Sequence, residues 1–282
     1  MRIISSCRCS PRTIANALTN EGKNDLLLAG KVQCALKAFS SATPQRRDPA
    51  AESCHRIVKK SDLQPVTDPA AATAAVQQPT TLALIRHAEV EERYHGVFGG
   101  NIDMDLSPRG HEQAAALAQY LHRLKFSAVY ASPMKRVQQT MRPFVVNGVP
   151  KPEIVPNLRE VSFGDWTGLK WTEVQGRFGV SAWQWLQQLE SRSIPNAEHA
   201  PELRARVEPC VREIVRNHPG EQVAIVCHGG VIRMILAILL DQPLSRMGAF
   251  QIEYASLTKV RLNREQVELE LVNFTPWRDL AA

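Results

Sequence analysis

From Thr80 onward the chain alternates short apolar runs of strand length with amphipathic stretches of helix length. This alternation constrains the fold more than any other feature, because it is the signature of helices packed on a sheet. It predicts an α/β fold: a three-layer α/β/α sandwich with a mostly parallel central sheet and an antiparallel edge. Strands are predicted over Thr81–Arg86, Ala128–Ala131 and Gln222–Cys227, with Ala255–Asn263 and Gln266–Val272 as a terminal pair. The run VELELV in that pair alternates apolar and polar residues, which suits a hairpin at a sheet edge. One helix is predicted to start at Ser107–Pro108, an N-cap serine before a proline at the first helical position. It carries Ala114, Leu117, Leu121 and Leu124 on one face. Further helices are predicted over Pro133–Val146, Thr172–Gln188 with a break near Gly179, Pro201–Asn217 and Val231–Leu240.

Residues 1–79 have a different texture. They show no sustained period, and segments such as ATPQRRDPAAES and VTDPAAATAAVQQP resist packing. Of the net charge of +6, about +5 belongs to these residues. They read as a disordered leader in front of a domain spanning 80–282. The alternative is an organelle-targeting segment within residues 1–30, since the first 20 residues contain Arg2, Arg8 and Arg12 and no acidic residue before Glu21. The domain itself is nearly neutral, which argues against a nucleic-acid partner. No run approaches the roughly 18 continuous apolar residues of a membrane span. Only Cys210 and Cys227 follow residue 80, too few for a disulfide framework, so the domain reads as cytoplasmic.

Three polar sites follow directly on three predicted strands. TLALI ends in Arg86-His87, AVYAS leads to Arg136 in the next helix, and VAIVC ends in His228-Gly229-Gly230. Ligands of open α/β sheets bind beyond the carboxyl ends of the parallel strands, where helix N-termini also present free amides to anions. Arg86, His87, Arg136 and His228 are therefore expected to converge into an anion pocket. Each has a blander reading, a solvated charge or a hydrogen-bonded surface histidine. Cys227-His228 is not a cysteine-protease pair, because adjacent residues of a strand point to opposite faces. The glycines Gly96, Gly99 and Gly100 spell no nucleotide-binding fingerprint.

The same stretches resemble the histidine phosphatase (phosphoglycerate mutase-like) superfamily from about Thr81 to Leu280. The likeness is carried by Arg86-His87-Ala88-Glu89, by FGGNIDMDLSPRGHEQA, by YASPMKRVQQT, by LREVSFGDWTG and by IVCHGGVIR. The small-molecule branch that includes α-ribazole phosphatase looks nearest. The resemblance implies a phosphomonoesterase in which His87 is the nucleophile and becomes phosphohistidine. It makes Arg86, Arg136 and His228 the groups that neutralise the phosphate oxygens, and Glu160 the proton donor and acceptor. It implies a small phosphorylated substrate, no cofactor and no metal ion, the arginines supplying the positive charge; a homodimer is left open. Ala88 stands where the family has glycine. Arg93 falls near the position of a phosphate-contacting asparagine, and either reaches substrate or is a solvated loop charge. Pro195–His199 stands where the family has Pro-x-Gly-Glu-Ser. Trp166, Trp171, Trp183 and Trp185 either cap the pocket or fill helix contacts.

Two other activities share this pocket: a phosphoglycerate-type mutase and a phosphate-binding module without turnover. The direct passage from Glu160 through Gly164 to Gly168 lacks the longer insertion usual in mutases of the family, and favours hydrolysis. If the leader is separate from the domain, deleting residues 1–78 leaves hydrolysis of an aryl phosphate intact. A large loss in soluble, folded truncated protein would show otherwise.

Overall fold

The computed structural model describes residues 78–145, 149–263 and 266–280. The predicted leader, 1–79, lies outside them except for Gln78 and Pro79. In chain order the elements are β1 (Thr80–Arg86), α1 (Pro108–Leu121), β2 (Ala128–Ala131), α2 (Lys135–Met141), β3 (Glu153–Ile154), α3 (Trp171–Phe178) and α4 (Trp185–Glu190). These are followed by α5 (Ala200–Asn217), β4 (Gln222–Cys227), α6 (Gly229–Leu239), β5 (Leu257–Leu262), β6 (Val267–Phe274) and α7 (Pro276–Asp279).

The six strands form one sheet in the order β3-β2-β4-β1-β5-β6. β3, β2, β4 and β1 are mutually parallel, whereas β5 and β6 run antiparallel at the other edge. Side chains alternate across this sheet with the strand period of two. Leu82, Leu84, Val223 and Ile225 join the core with α5 and α6, while Ala83, Ile85, Ala224 and Val226 pack toward α1 and α2. Both faces are covered, so the central strands read as continuous apolar runs.

Helix boundaries have local causes. Ser107 caps α1 by accepting the Gly110 amide at 2.9 Å, with Pro108 in the first turn. Its hydroxyl also donates to Glu89 Oε1 at 2.8 Å, tying the helix to the segment that follows β1. A Cβ at Gly110 would run into the Glu89 carbonyl oxygen, so that close approach requires glycine. Helix α2 is shorter than the predicted Pro133–Val146, ending at Met141. Pro143 has no amide for the Gln139 carbonyl, which stops the ladder. The stretch expected over Thr172–Gln188 divides at Gly179, whose φ of 66° closes α3 with a left-handed cap. Helix α6 begins at Gly229, two residues before its predicted start, immediately after β4 and His228. The two-residue β3 was not expected; its residues are exposed and lack an apolar run.

Replacing Ser107 by Ala removes one capping bond and should lower stability by about 1 kcal/mol. Gly110→Ala should cost more, on the order of 1–3 kcal/mol, because the added methyl meets backbone rather than a movable side chain. Urea unfolding of the two variants reads the ordering directly.

Candidate active site

The parallel register sets the geometry. Arg86 lies opposite Cys227, so the next residues, His87 and His228, leave the sheet side by side. The His87 amide still donates to the Cys227 carbonyl at 3.1 Å, and the two imidazole centroids are 5.2 Å apart. Ser132, just beyond β2, extends the row: its amide donates to Val226 O at 3.0 Å.

Hydrogen bonds settle the protonation of both rings. His87 Nδ1 lies 2.8 Å from the Ala88 carbonyl oxygen. A carbonyl only accepts, so Nδ1 carries the proton and Nε2 keeps its lone pair. The Ala88 amide donates to Thr140 Oγ1 at 2.9 Å, and that hydroxyl donates to Arg136 O at 2.7 Å. His228 is polarised the other way. Its Nδ1 accepts from Arg136 Nε at 3.2 Å, which leaves Nε2–H to donate to Ser132 Oγ at 2.7 Å. Burial, then Arg136, hold both imidazoles well below the ordinary histidine range, so both are neutral at pH 7.

Arg136 is buried in α2 and also donates from Nη1 to Ile102 O at 2.8 Å and from Nη2 to Gly100 O at 3.1 Å. Arg86 donates from Nη1 to Ile252 O at 2.6 Å and lies 4.1 Å over the Tyr254 ring; its buried Nε has no protein partner. Glu160 comes from a loop. Its Oε2 accepts the Gly230 amide at 3.2 Å and its Oε1 the Val161 amide at 3.0 Å. Gly230 stands in the first turn of α6, where amides lack helical partners. A side chain there would collide with the Glu160 carboxylate.

These groups border a cavity of about 640 Å³ lined by Arg86, His87, Arg136 and Glu160. His228 touches this cluster from behind and is not among the lining residues. A direct bond from His228 to a phosphate oxygen requires release of Ser132 or Arg136. Arg93 sits outside the cavity: its side chain is 67% exposed and paired with Glu91 at 2.8 Å. The tryptophans divide. Trp166 is buried in the core, whereas Trp171, Trp183 and Trp185 line the cavity. Pro195–His199 is a support. Glu198 pairs with Arg206 at 2.5 Å, and Arg206 also donates to the Glu160 carbonyl at 3.3 Å. Among the described residues, no three His, Cys, Asp or Glu side chains gather as a metal-binding group.

A third cation belongs to the site and had no role in the sequence-based expectation. Arg233 lines the cavity and donates to Gly229 O at 3.2 Å and Phe250 O at 3.0 Å. Burial brings Arg136 and Arg233 down to about 10, with Glu160 pulling the other way, so both remain charged at neutral pH. The available signal was a lone arginine inside the apolar run Val231–Leu240. Tyr254 and Ser132 carried no such signal.

The profile of the histidine phosphatase superfamily (branch 1) matches residues 82–275, and the chain belongs to this family. It is 28% identical over 196 residues to phosphoserine phosphatase 1 of Hydrogenobacter thermophilus, covering 69% of this chain and 92% of that protein. It is 26% identical over 192 residues to the adenosylcobalamin/alpha-ribazole phosphatase of Escherichia coli, covering 68% and 95% respectively. The crystal structure of the alpha-ribazole phosphatase from Shigella flexneri superposes with a TM-score of 0.61 at 26% identity, covering 69% of this chain and 96% of that one.

Two histidines that are neutral when folded and titrate near pH 6.5 when unfolded make stability pH-dependent. The unfolded state then binds more protons, so stability is retained above about pH 6.5 and falls as the pH drops below it. Each histidine adds a slope approaching about 1.4 kcal/mol per pH unit. Between pH 6.5 and 5, His228→Gln should show a shallower dependence than the parent in urea titrations. An unchanged slope would mean that His228 is not held neutral.

Proposed function

We propose that this protein is a phosphomonoesterase that hydrolyses a small phosphorylated metabolite through a phosphohistidine on His87. The observation that carries this reading is the His87 ring. Its Nδ1 is committed to Ala88 O, leaving Nε2 unprotonated beside Arg86 and Arg136. A neutral imidazole with one free nitrogen is a nucleophile, and a protonated one is not. Nε2 attacks phosphorus as the bond to the leaving alcohol breaks. Arg86 and Arg136 offset the charge on the phosphoryl oxygens, where stabilisation matters most. Glu160, entering in its acid form with a proton taken from solvent, gives that proton to the leaving oxygen, then regains one from the water that attacks the phosphohistidine. That second attack breaks the P–N bond and frees inorganic phosphate. His228 is assigned the positioning of Arg136, with any direct phosphate contact following a change of partner.

The low cysteine content of residues 80–282 supports a cytoplasmic setting, with organelle targeting by residues 1–30 as the alternative. Among the described residues no helix is long and apolar enough to cross a membrane.

His87→Ala should reduce phosphate release from both aryl and alkyl esters by at least about a thousandfold. Glu160→Gln should depress kcat for an alkyl phosphate by about 10²–10⁴ and for p-nitrophenyl phosphate much less, because nitrophenolate leaves without a proton. Equal losses on both esters would remove Glu160 from the acid role. Incubation with 3-phosphoglycerate and its bisphosphate separates hydrolysis from a mutase, which isomerises without releasing phosphate. Release unaffected by His87→Ala would sink both.

A further inference from the structure

The cavity is larger than a phosphoryl group needs, and its outer part has a distinct chemistry. At about 640 Å³ it falls in the usual range, roughly 300–1,000 Å³, of pockets that enclose whole organic ligands. Beyond the cationic floor, a file of aromatic rings leads outward from the core. Trp166 packs 5.2 Å from Phe98, Phe98 lies 6.5 Å from Trp171, and Trp171 meets Trp183 edge-on at 5.0 Å, measured between centroids. Exposure rises along this file: Trp166 is 1%, Trp171 41% and Trp183 79% accessible. An indole so exposed gains little for the fold, and an apolar surface at the mouth of a cavity marks a place where something apolar binds. Trp183 sits on the turn Ala182–Gln184 before α4, with its amide donating to Ser181 Oγ at 3.3 Å.

Charge points the same way. Apart from the three arginines and Glu160, the charged residues lining the cavity are Glu89 and Glu253. Glu253 is paired with Arg278 at 2.7 Å and Glu89 accepts the Ser107 hydroxyl at 2.8 Å, so neither offers a cation to a carboxylate on the substrate's alcohol. Outside the Arg86–Arg136 floor, Arg233 is the cation among the lining residues, and two of its donors are taken by Gly229 O and Phe250 O.

Resting on the phosphatase reading, we infer that the substrate is a phosphomonoester whose alcohol carries a planar, uncharged aromatic or heteroaromatic group. That group packs against the Trp183 and Trp171 rings, stacking on one of them, while the phosphate occupies the Arg86–His87–Arg136 floor. Stacking on an indole tolerates any flat ring, so the wall selects a shape and polarity rather than one compound.

Matched pairs of primary alkyl phosphates test this, because within a pair the bond broken is the same. Adenosine 5′-monophosphate is compared with ribose 5-phosphate, and naphthylethyl phosphate with ethyl phosphate, on the full-length protein. The ring-bearing ester should show kcat/KM about tenfold higher or more in each pair, mostly through KM. O-phosphoserine should rank with the ring-free esters. Trp183→Ala should shrink the ratio within each pair to about twofold, and Trp183→Phe should restore most of it. Equal kcat/KM within both pairs, a ratio that survives Trp183→Ala, or O-phosphoserine outperforming the ring-bearing esters would overturn this inference while leaving the phosphatase reading intact. Failure of every ester to release phosphate would sink the phosphatase reading, and this one with it.

Discussion

The site depends on gathering three guanidinium groups at the floor of one cavity. Arg86, Arg136 and Arg233 converge on one cavity, and Glu160 is the carboxylate among them. Guanidinium groups are costly to withdraw from water unless their donors are used. Here Arg136 donates to His228, Ile102 and Gly100, Arg233 to two carbonyls and Arg86 to one. The buried Nε atoms of Arg86 and Arg233 have no protein partner. What remains is a preorganised cluster of donors, which in the proposed reaction would face the phosphate oxygens.

The same cluster sets the state of the histidines. Close to two arginines and out of water, an imidazolium would be strongly disfavoured, so His87 is held as a neutral imidazole. In the proposed reaction, the group that must be uncharged to react is thus kept uncharged by the groups proposed to bind its target. His228, locked between Arg136 and Ser132, fixes the angle from which Arg136 reaches the cavity.

Register turns this chemistry into geometry. β1 and β4 are adjacent and parallel, so His87 and His228, remote in the chain, leave neighbouring strand ends together. The early start of α6 then aims the Gly230 amide at Glu160, and the Arg206–Glu198 pair holds the loop that carries Glu160. Precision at this site rests on strand pairing for the histidines and on an ion pair for Glu160.

The sandwich and its antiparallel edge were legible in the sequence because apolar period is local: strand runs and capped helices announce themselves residue by residue. The strand-end residues Arg86, His87 and His228 were legible for the same reason, since a polar residue directly after a buried strand has one place to go. Other features depended on distance. That Arg93 turns to Glu91, that His228 lies behind Arg136, and that Arg233 joins the cavity are outcomes of side-chain packing between segments remote in sequence. The four tryptophans make the contrast plain. Composition and spacing placed them in one region, but only the packing of Phe98 against Trp166 and Trp171 separated a core indole from those at the mouth. Periodicity specifies which face of an element is buried; the tertiary structure decides what that face meets.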